Sequence, residues 1–220
     1  MTDNNFPSTL PLISEHYFAT PVCTLDLVQP DLNDALISHI LQWRDADPAG
    51  ITRSNFKQTG SWHSTIDMHQ RPEFKALTDL VLAMAQQVFS QQHYHPDYLP
   101  LIDSMWANIN PHGGFNRSHT HPDTLWSGVY YAQAPAQCGR ICFHDPRSQA
   151  RVITPMLGAD AEDHPGSWPE IYFEPLAGRM ILFPAWLQHD VEPNLSDLPG
   201  DSGNRISVSF NLLQGKIVQP

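Results

Sequence analysis

The chain has 220 residues and a mass of 24.8 kDa, a length that suits one domain with a single hydrophobic core. Its net charge is −11 and it has no block of lysines and arginines, which argues against binding to nucleic-acid phosphates or to an anionic membrane surface. Twenty prolines argue against an all-helical bundle, and no apolar run approaches the roughly 20 residues of a membrane span.

The first hundred residues predict helices separated by irregular segments. Residues 1–30 are punctuated by proline and show neither a regular pattern nor the features of a signal peptide. Apolar residues then recur at helical spacing, which predicts a helix over Asp31–Arg44 with Asp31 as its N-cap. The polar segment 45–71 is expected to form loops. A second helix is predicted over Pro72–Gln91, with the proline in its first position.

After Pro96 the pattern changes to short runs rich in β-branched and aromatic residues, each bounded by turn residues. The predicted strands are Ser104–Asn110, Leu125–Gln133, Arg140–His144, Ile171–Glu174, Arg179–Phe183 and Arg205–Leu213. Many short strands favour a sandwich, jelly roll or barrel. We therefore expect a mainly β protein with flanking helices, a single domain over 1–220. In it, a helical elaboration (1–100) packs on a β core (101–215).

The three cysteines indicate the redox state of the cellular compartment, and the twelve histidines raise the question of metal binding. Cys23, Cys138 and Cys142 match no zinc-binding pattern, and we expect reduced thiols in a cytoplasmic protein. The histidines equal the lysines and arginines in number, and histidine is the commonest metal ligand. His119 and His121 are two residues apart, so in a strand both side chains would point to one face and grip one metal ion.

The last predicted strand carries an arginine suited to binding an anion. Arg205, Ser207 and Ser209 share one face of that strand. The opposite face is apolar and is expected to pack on a second sheet; it consists of Ile206, Val208 and Phe210. Because a guanidinium fork fits a carboxylate with two hydrogen bonds, an inward Arg205 with Ser207 beside it suits a carboxylate ligand.

The chain resembles the iron(II)- and 2-oxoglutarate-dependent oxygenases, and within them a poorly characterised bacterial and phage group. The resemblance rests on the His-x-His pair, the later His189 and the Arg-x-Ser strand, and it spans about residues 54–214. Further motifs that carry it are Ser54-Asn55, Gly60-Ser61-Trp62-His63-Ser64, Trp106-Ala107-Asn108-Ile109-Asn110, Ser127-Gly128-Val129-Tyr130-Tyr131 and Asp145-Pro146-Arg147. The resemblance implies a double-stranded β-helix, a cupin-like jelly roll that holds Fe(II) at its mouth.

One departure from the superfamily concerns the metal ligands. The usual set is two histidines and one carboxylate, but here His121 stands at the carboxylate position. The narrower group shares this histidine, so the resemblance implies a three-histidine site of His119, His121 and His189. Asp123 remains an alternative ligand, because His121-Pro122-Asp123 also spells His-x-Asp.

The resemblance also implies residues for the co-substrate. Arg205, assisted by Ser207, is expected to bind the 5-carboxylate of 2-oxoglutarate, with a surface ion pair as the alternative for the arginine. Tyr131 is expected to reach the same carboxylate, unless it is a core tyrosine. Asn108 is expected on the 1-carboxylate side, unless its role is structural. His63 and His112 are candidates for the rim of the pocket.

The hypothesis that follows is an oxygenase that decarboxylates 2-oxoglutarate to succinate with O₂ and oxidises a C–H bond of a small molecule or peptide. One alternative is a three-histidine cupin-type metalloenzyme that does not use 2-oxoglutarate, such as a thiol dioxygenase. Another is a non-catalytic jelly-roll binding module. The Arg205-x-Ser207 pair favours the first of these, whereas the sequence predicts neither the primary substrate nor the oligomeric state.

Overall fold

Two antiparallel β-sheets with helices against one of them make up the protein. The structure is a computed structural model that describes residues 13, 15, 17–55, 57–152, 156, 158 and 168–216. Its α-helices are α1 (Pro30–Ala46), α2 (Gly50–Arg53) and α3 (Lys75–Gln91). Short 3₁₀ turns are Lys57–Thr59, Met68–Gln70, Pro72–Phe74, Ser148–Arg151 and Gly200–Gly203.

Ten strands form the two sheets in the described part of the chain. They are β1 (Cys23–Asp26), β2 (Trp62–His63), β3 (Tyr98–Asn110), β4 (Asn116–His119), β5 (Trp126–Gln133), β6 (Ile141–His144), β7 (Glu170–Phe173), β8 (Arg179–Pro184), β9 (His189–Val191) and β10 (Arg205–Lys216). The large sheet has the order β1-β8-β5-β10-β3-β2, and the small sheet has the order β4-β9-β6-β7. This is the predicted mainly β fold with flanking helices, a double-stranded β-helix.

Both long helices form where the apolar spacing predicts them, but they begin differently. Pro30 takes the first position of α1, where a missing N–H is harmless, so Asp31 lies inside the first turn and not at the predicted N-cap. The N-cap is Gln29, whose side chain makes no capping hydrogen bond. Segment Pro72–Phe74 is a 3₁₀ turn that leads into α3. The segment predicted as loop also contains α2.

The two faces of β10 pack differently from the sequence expectation. The apolar face of Ile206, Val208 and Phe210 belongs to a core cluster with Leu36 of α1 and Leu77 of α3. It therefore packs toward the helices, and the expectation that it meets a second sheet is wrong. The small sheet lies on the other side, the side of Arg205. The helices supply a continuous apolar surface for the apolar face of β10, whereas the space between the sheets holds a smaller apolar cluster and the polar residues of a cavity.

Four strands of two to four residues were not predicted as strands, and they complete the sheets. β2 lies in the segment predicted as loop and pairs with β3. β1 lies in the proline-punctuated segment and pairs with β8, while β4 and β9 form one end of the small sheet. Such short runs are too brief to show an alternating pattern. Among the described residues the longest helices, α1 and α3, have 17 residues each, and none is both long and apolar enough to cross a membrane.

Candidate metal centre

Three histidines of the described residues converge between the sheets. His119, His121 and His189 each bring one ring nitrogen to within 4.8 Å of the others. The ring centroids lie 4.3 Å apart for His119 and His189, 5.0 Å for His119 and His121, and 5.2 Å for His121 and His189. Imidazole nitrogen is a good ligand for iron and similar transition metals, so this donor set can hold one metal ion.

Strand pairing, rather than a shared strand, brings these side chains together. His119 and His189 are direct cross-strand partners in the β4–β9 pair, which places their side chains side by side. β4 ends at His119, so His121 is not in the same strand, contrary to the expectation from the two-residue spacing. The His121 backbone N–H instead donates to the Ala185 carbonyl at 2.9 Å, and this bond holds the loop against the end of β8.

Backbone carbonyls orient two of the rings. The Nδ1 atom of His119 lies 2.6 Å from the Arg117 carbonyl oxygen, and that of His189 lies 2.9 Å from the Leu187 carbonyl oxygen. A carbonyl can only accept, so Nδ1 carries the proton in each neutral ring and Nε2 keeps its lone pair. A carbonyl on the remote ring nitrogen is the usual support of a metal-binding histidine.

Burial keeps two of these imidazoles neutral. Desolvation, followed by the effect of a charged His119, lowers the pKa of His121 to about 4. Desolvation is also the main cause that lowers the pKa of His189 to about 3, since its side chain is 3% exposed. Both rings are therefore unprotonated at neutral pH, which is the state that a metal ion requires.

The alternative ligand Asp123 lies outside this cluster. It is exposed, it does not join the three histidines, and its φ of 61° places it in the left-handed region. Aspartate tolerates that conformation in tight turns. The turn carries the carboxylate to the surface, two residues beyond the ring of His121.

Arg205 lies on the wall of the same cavity and is buried. The cavity has a volume of about 210 Å³, and its lining includes the three histidines, Arg205 and Ser207. The arginine is 1% exposed, and none of the described acidic side chains forms an ion pair with it. It is therefore not a surface arginine. Its burial lowers its pKa, because desolvation disfavours the charged guanidinium.

Backbone carbonyls from three loops surround the guanidinium. Nη1 donates to the Cys138 carbonyl, to the Glu192 carbonyl at 3.0 Å and to the Gly139 carbonyl at 3.3 Å. Nη2 donates to the Gly114 carbonyl at 3.4 Å. Gly139 has a φ of 87°, and a Cβ atom there would lie 2.3 Å from the Glu192 carbonyl and 2.8 Å from Nη1. Only glycine fits at position 139, where the backbone comes this close to Glu192 and Arg205. The positive charge of the guanidinium is therefore surrounded by carbonyl dipoles and not by a carboxylate.

The remaining predicted co-substrate residues form a row across three strands of the large sheet. Ser207 of β10 is the direct partner of Asn108 in β3 on one side and of Tyr131 in β5 on the other. All three line the cavity. Burial raises the pKa of Tyr131, so its hydroxyl stays protonated. The Asn108 amide donates to Ser209 Oγ at 3.2 Å. The row therefore presents the Ser207 hydroxyl, the Asn108 amide and the Tyr131 phenol to the same cavity.

The rim of the cavity contains the predicted candidate His63 and two residues to which the sequence assigned no role, Trp106 and Asn55. The His63 ring stacks on the Trp106 ring with centroids 5.6 Å apart and planes inclined by 13°, and both line the cavity together with Asn55. His112, the other rim candidate, is not part of this lining, and its Nδ1 lies 3.1 Å from the Ser196 carbonyl oxygen. The sequence could have indicated Trp106 as a lining residue, because it lies two residues before Asn108 and therefore on the same face of the strand.

Comparison with known proteins identifies the segment that carries this site. Residues 104–211 match the model of a family described as "Putative 2OG-Fe(II) oxygenase". The matched segment includes every residue of the three-histidine cluster and all of the arginine and serine positions of β10 discussed above. No curated protein matches the chain by sequence.

Solved structures share the fold at low sequence identity. A prolyl-4-hydroxylase of Pseudomonas putida is 20% identical, with a TM-score of 0.55, over 88% of this chain and 93% of that protein. A prolyl hydroxylase of Trichoplax adhaerens, in complex with a hypoxia inducible factor peptide fragment, is 12% identical with a TM-score of 0.57 over 87% and 83%. HygX of Streptomyces hygroscopicus, with nickel and 2-oxoglutarate bound, is 12% identical with a TM-score of 0.53 over 88% and 82%.

These structural similarities establish the jelly-roll fold, and the family match covers the strands that surround the histidine cluster. Residues 104–211, just under half of the chain, are similar to a family described as a putative 2OG-Fe(II) oxygenase.

Proposed function

We propose that the protein binds Fe(II) through His119, His121 and His189 and binds 2-oxoglutarate through Arg205. The observation that carries this proposal is the occurrence, in one cavity, of three converging imidazoles and a buried guanidinium without an acidic partner among the described residues. A buried charge of this kind is costly unless it is paired. A carboxylate of the co-substrate would supply the missing pair.

The charges of the proposed site support a dianionic co-substrate. Three neutral imidazoles leave the full charge of +2 on the iron, whereas the usual set of two histidines and one carboxylate leaves +1. A 2-oxoglutarate dianion that reaches from the metal to Arg205 brings one carboxylate to each cationic group. The proposed site therefore depends more on its co-substrate for neutrality than a carboxylate-containing site does.

Each protein group has a distinct part in this proposal. Arg205 pairs with the 5-carboxylate, and Ser207 and Tyr131 donate hydroxyl hydrogen bonds to it, since burial keeps the phenol protonated. Asn108 donates its amide to the 1-carboxylate side. The carbonyls of Gly114, Gly139 and Glu192 hold the guanidinium in place before the co-substrate arrives.

The iron, when bound, supplies the oxidative chemistry: 2-oxoglutarate, O₂ and a substrate C–H bond become succinate, CO₂ and the hydroxylated product. The protein excludes bulk water and presents the substrate. His63 and Trp106 form the aromatic part of the entrance, and Asn55 adds an amide. This entrance suits a small molecule or peptide with both an apolar surface and hydrogen-bonding groups.

Iron content of single variants tests the ligand set. His119→Ala, His121→Ala and His189→Ala should each lose most of the bound iron, while the matched change Asp123→Ala should keep it. Circular dichroism should show that each variant stays folded. Full iron occupancy in His121→Ala together with its loss in Asp123→Ala would replace the three-histidine set by one that contains the aspartate.

A further inference from the structure

The small sheet carries a second group of side chains of the types that can bind a metal ion, on the face turned away from the cavity. Along β6 the side chains alternate: Ile141 lines the cavity and Phe143 packs near His189, whereas Cys142 and His144 point to the opposite face. β9 alternates in the same way, with His189 toward the cavity and Asp190 away from it. None of the residues proposed to bind iron or 2-oxoglutarate lies on this outer face.

Strand register brings the outer-face residues together. Cys142 is the direct partner of Tyr172 in β7 and of Asp190 in β9, and His144 is the partner of Glu170. One ligand atom each from Cys142, His144 and Glu170 lies within 4.8 Å of the others. Cys142 is 2% exposed, and the side chains of His144 and Glu170 are 15% and 35% exposed. The cluster is partly sheltered and contains sulfur, nitrogen and oxygen donors.

We propose that Cys142, His144 and Glu170 bind a zinc ion on this outer face. Zinc accepts thiolate, imidazole and carboxylate ligands, and it prefers a tetrahedral arrangement. Two ligands at about 2.0 Å from a tetrahedral zinc lie roughly 3.3 Å apart. His144 Nδ1 and Glu170 Oε1 are 3.1 Å apart, which matches that separation.

Asp190 orients the imidazole for this role. Its Oδ2 atom lies 2.6 Å from His144 Nε2, so a neutral ring that donates its Nε2 proton to Asp190 keeps the Nδ1 lone pair for the metal. This is the carboxylate–histidine–zinc arrangement that supports many zinc sites. Asp190 is therefore a positioning residue in the proposed site and not a ligand.

The charges around the cluster favour a bound cation. No lysine or arginine among the described side chains forms an ion pair with Glu170 or Asp190, and the basic group that both contact is His144. The nearby Arg140 is already paired with Glu192, through Nε at 2.9 Å and Nη2 at 2.8 Å. A thiolate and one carboxylate would neutralise a zinc ion without any further group.

A zinc ion at this position would link the strands of the small sheet. β7 is the edge strand and pairs with β6, and the proposed ligands come from these two strands. Asp190 adds β9, whose next residue toward the N-terminus is His189 of the cavity face. The proposed site therefore fixes the edge of the sheet that supports the iron ligand, from the side opposite the iron.

Cobalt(II) alone, added anaerobically, is the probe for this site, because a thiolate ligand gives cobalt an intense near-ultraviolet charge-transfer band that an all-histidine site lacks. The test uses full-length protein carrying His119→Ala and His121→Ala, so that the proposed iron site does not compete. We expect one equivalent of cobalt with the band, and displacement by zinc. Cys142→Ser should abolish the band, while Cys23→Ser, a change at a cysteine outside the cluster, should keep it.

Two further variants keep the test decisive if Cys142→Ser does not fold. Glu170→Gln should keep the thiolate band but bind cobalt more weakly, because a charged ligand is lost. Asp190→Asn should also keep the band and lower the affinity by about 10- to 100-fold, the usual effect of losing a supporting carboxylate. Absence of the band in the parent protein, its persistence in Cys142→Ser, or unchanged affinity in both Glu170→Gln and Asp190→Asn would overturn the proposal.

Discussion

Replacing Arg205 by alanine should affect both stability and co-substrate binding, and the structure separates the two effects. In the protein without co-substrate, the guanidinium donates to the carbonyls of Cys138, Gly139, Glu192 and Gly114. A buried acceptor that loses its donor costs about 1–3 kcal/mol. Water that enters the emptied space will satisfy some of these carbonyls. We therefore expect the free energy of unfolding to fall by about 2–4 kcal/mol.

The loss of 2-oxoglutarate affinity should be larger than this stability loss can explain. Removing one member of a buried, hydrogen-bonded charge pair costs about 2–5 kcal/mol, which corresponds to a roughly 30-fold to several-thousand-fold weaker dissociation constant. The assay is an anaerobic titration of the iron-loaded protein with 2-oxoglutarate, combined with urea unfolding of the same samples.

Arg179→Ala is the matched control. This arginine lies in the same large sheet and pairs with Asp26 at 2.6 Å, and it does not line the cavity. It should lose some stability but keep its 2-oxoglutarate affinity. Equal affinities in Arg205→Ala, Arg179→Ala and the parent protein would refute the role assigned to Arg205.

Further predictions concern pH and the glycine beside the guanidinium. The unfolded chain takes up protons on His121 and His189 below about pH 6.5, whereas the folded protein does so only near pH 4 and 3, so the free energy of unfolding should fall on acidification between these values. The free energy of unfolding, measured with urea, should change with pH by at most about 2.7 kcal/mol per pH unit from both groups together. His189→Asn should reduce this pH dependence. An unchanged pH dependence in that variant would contradict the effect of burial. Gly139→Ala should lower both the melting temperature and 2-oxoglutarate affinity, because its Cβ meets the Glu192 carbonyl and Arg205. The control is Gly60→Ala, at a φ of 76° with open space around it, which should lower the melting temperature but not 2-oxoglutarate affinity. Equal losses of 2-oxoglutarate affinity in Gly139→Ala and Gly60→Ala would exclude displacement of Arg205 as the cause.

The β core was predictable because its long strands carry their own pattern. The alternation of Arg205, Ser207 and Ser209 with apolar residues identified the strand and its polar face, and the apolar spacing of α1 and α3 identified both helices. What covers each face of β10 was not predictable, since a period-two pattern separates two faces without saying whether a helix or a sheet packs on either.

The sequence named most of the residues that line the cavity, but it did not predict how they come together. The His-x-His spacing suggested a shared strand, but β4 ends at His119, and the cross-strand partner His189 is 70 residues away in the chain. Register between short strands depends on the whole sheet, so sequence spacing does not reveal it. The carbonyls around Arg205 come from three separate loops, and the outer-face cluster of Cys142, His144 and Glu170 also depends on register.

The most direct test of the central claim is anaerobic addition of Fe(II) and 2-oxoglutarate to the protein while its visible absorption is recorded. If iron and 2-oxoglutarate bind at one site, a metal-to-ligand charge-transfer band should appear only when both are present, saturate at one equivalent of each, and be lost in His189→Ala. Admission of O₂ should then bleach the band and release succinate. Tight iron binding to the parent protein with no band and no succinate, at saturating 2-oxoglutarate, would contradict the oxygenase assignment and favour a metal site that does not use this co-substrate.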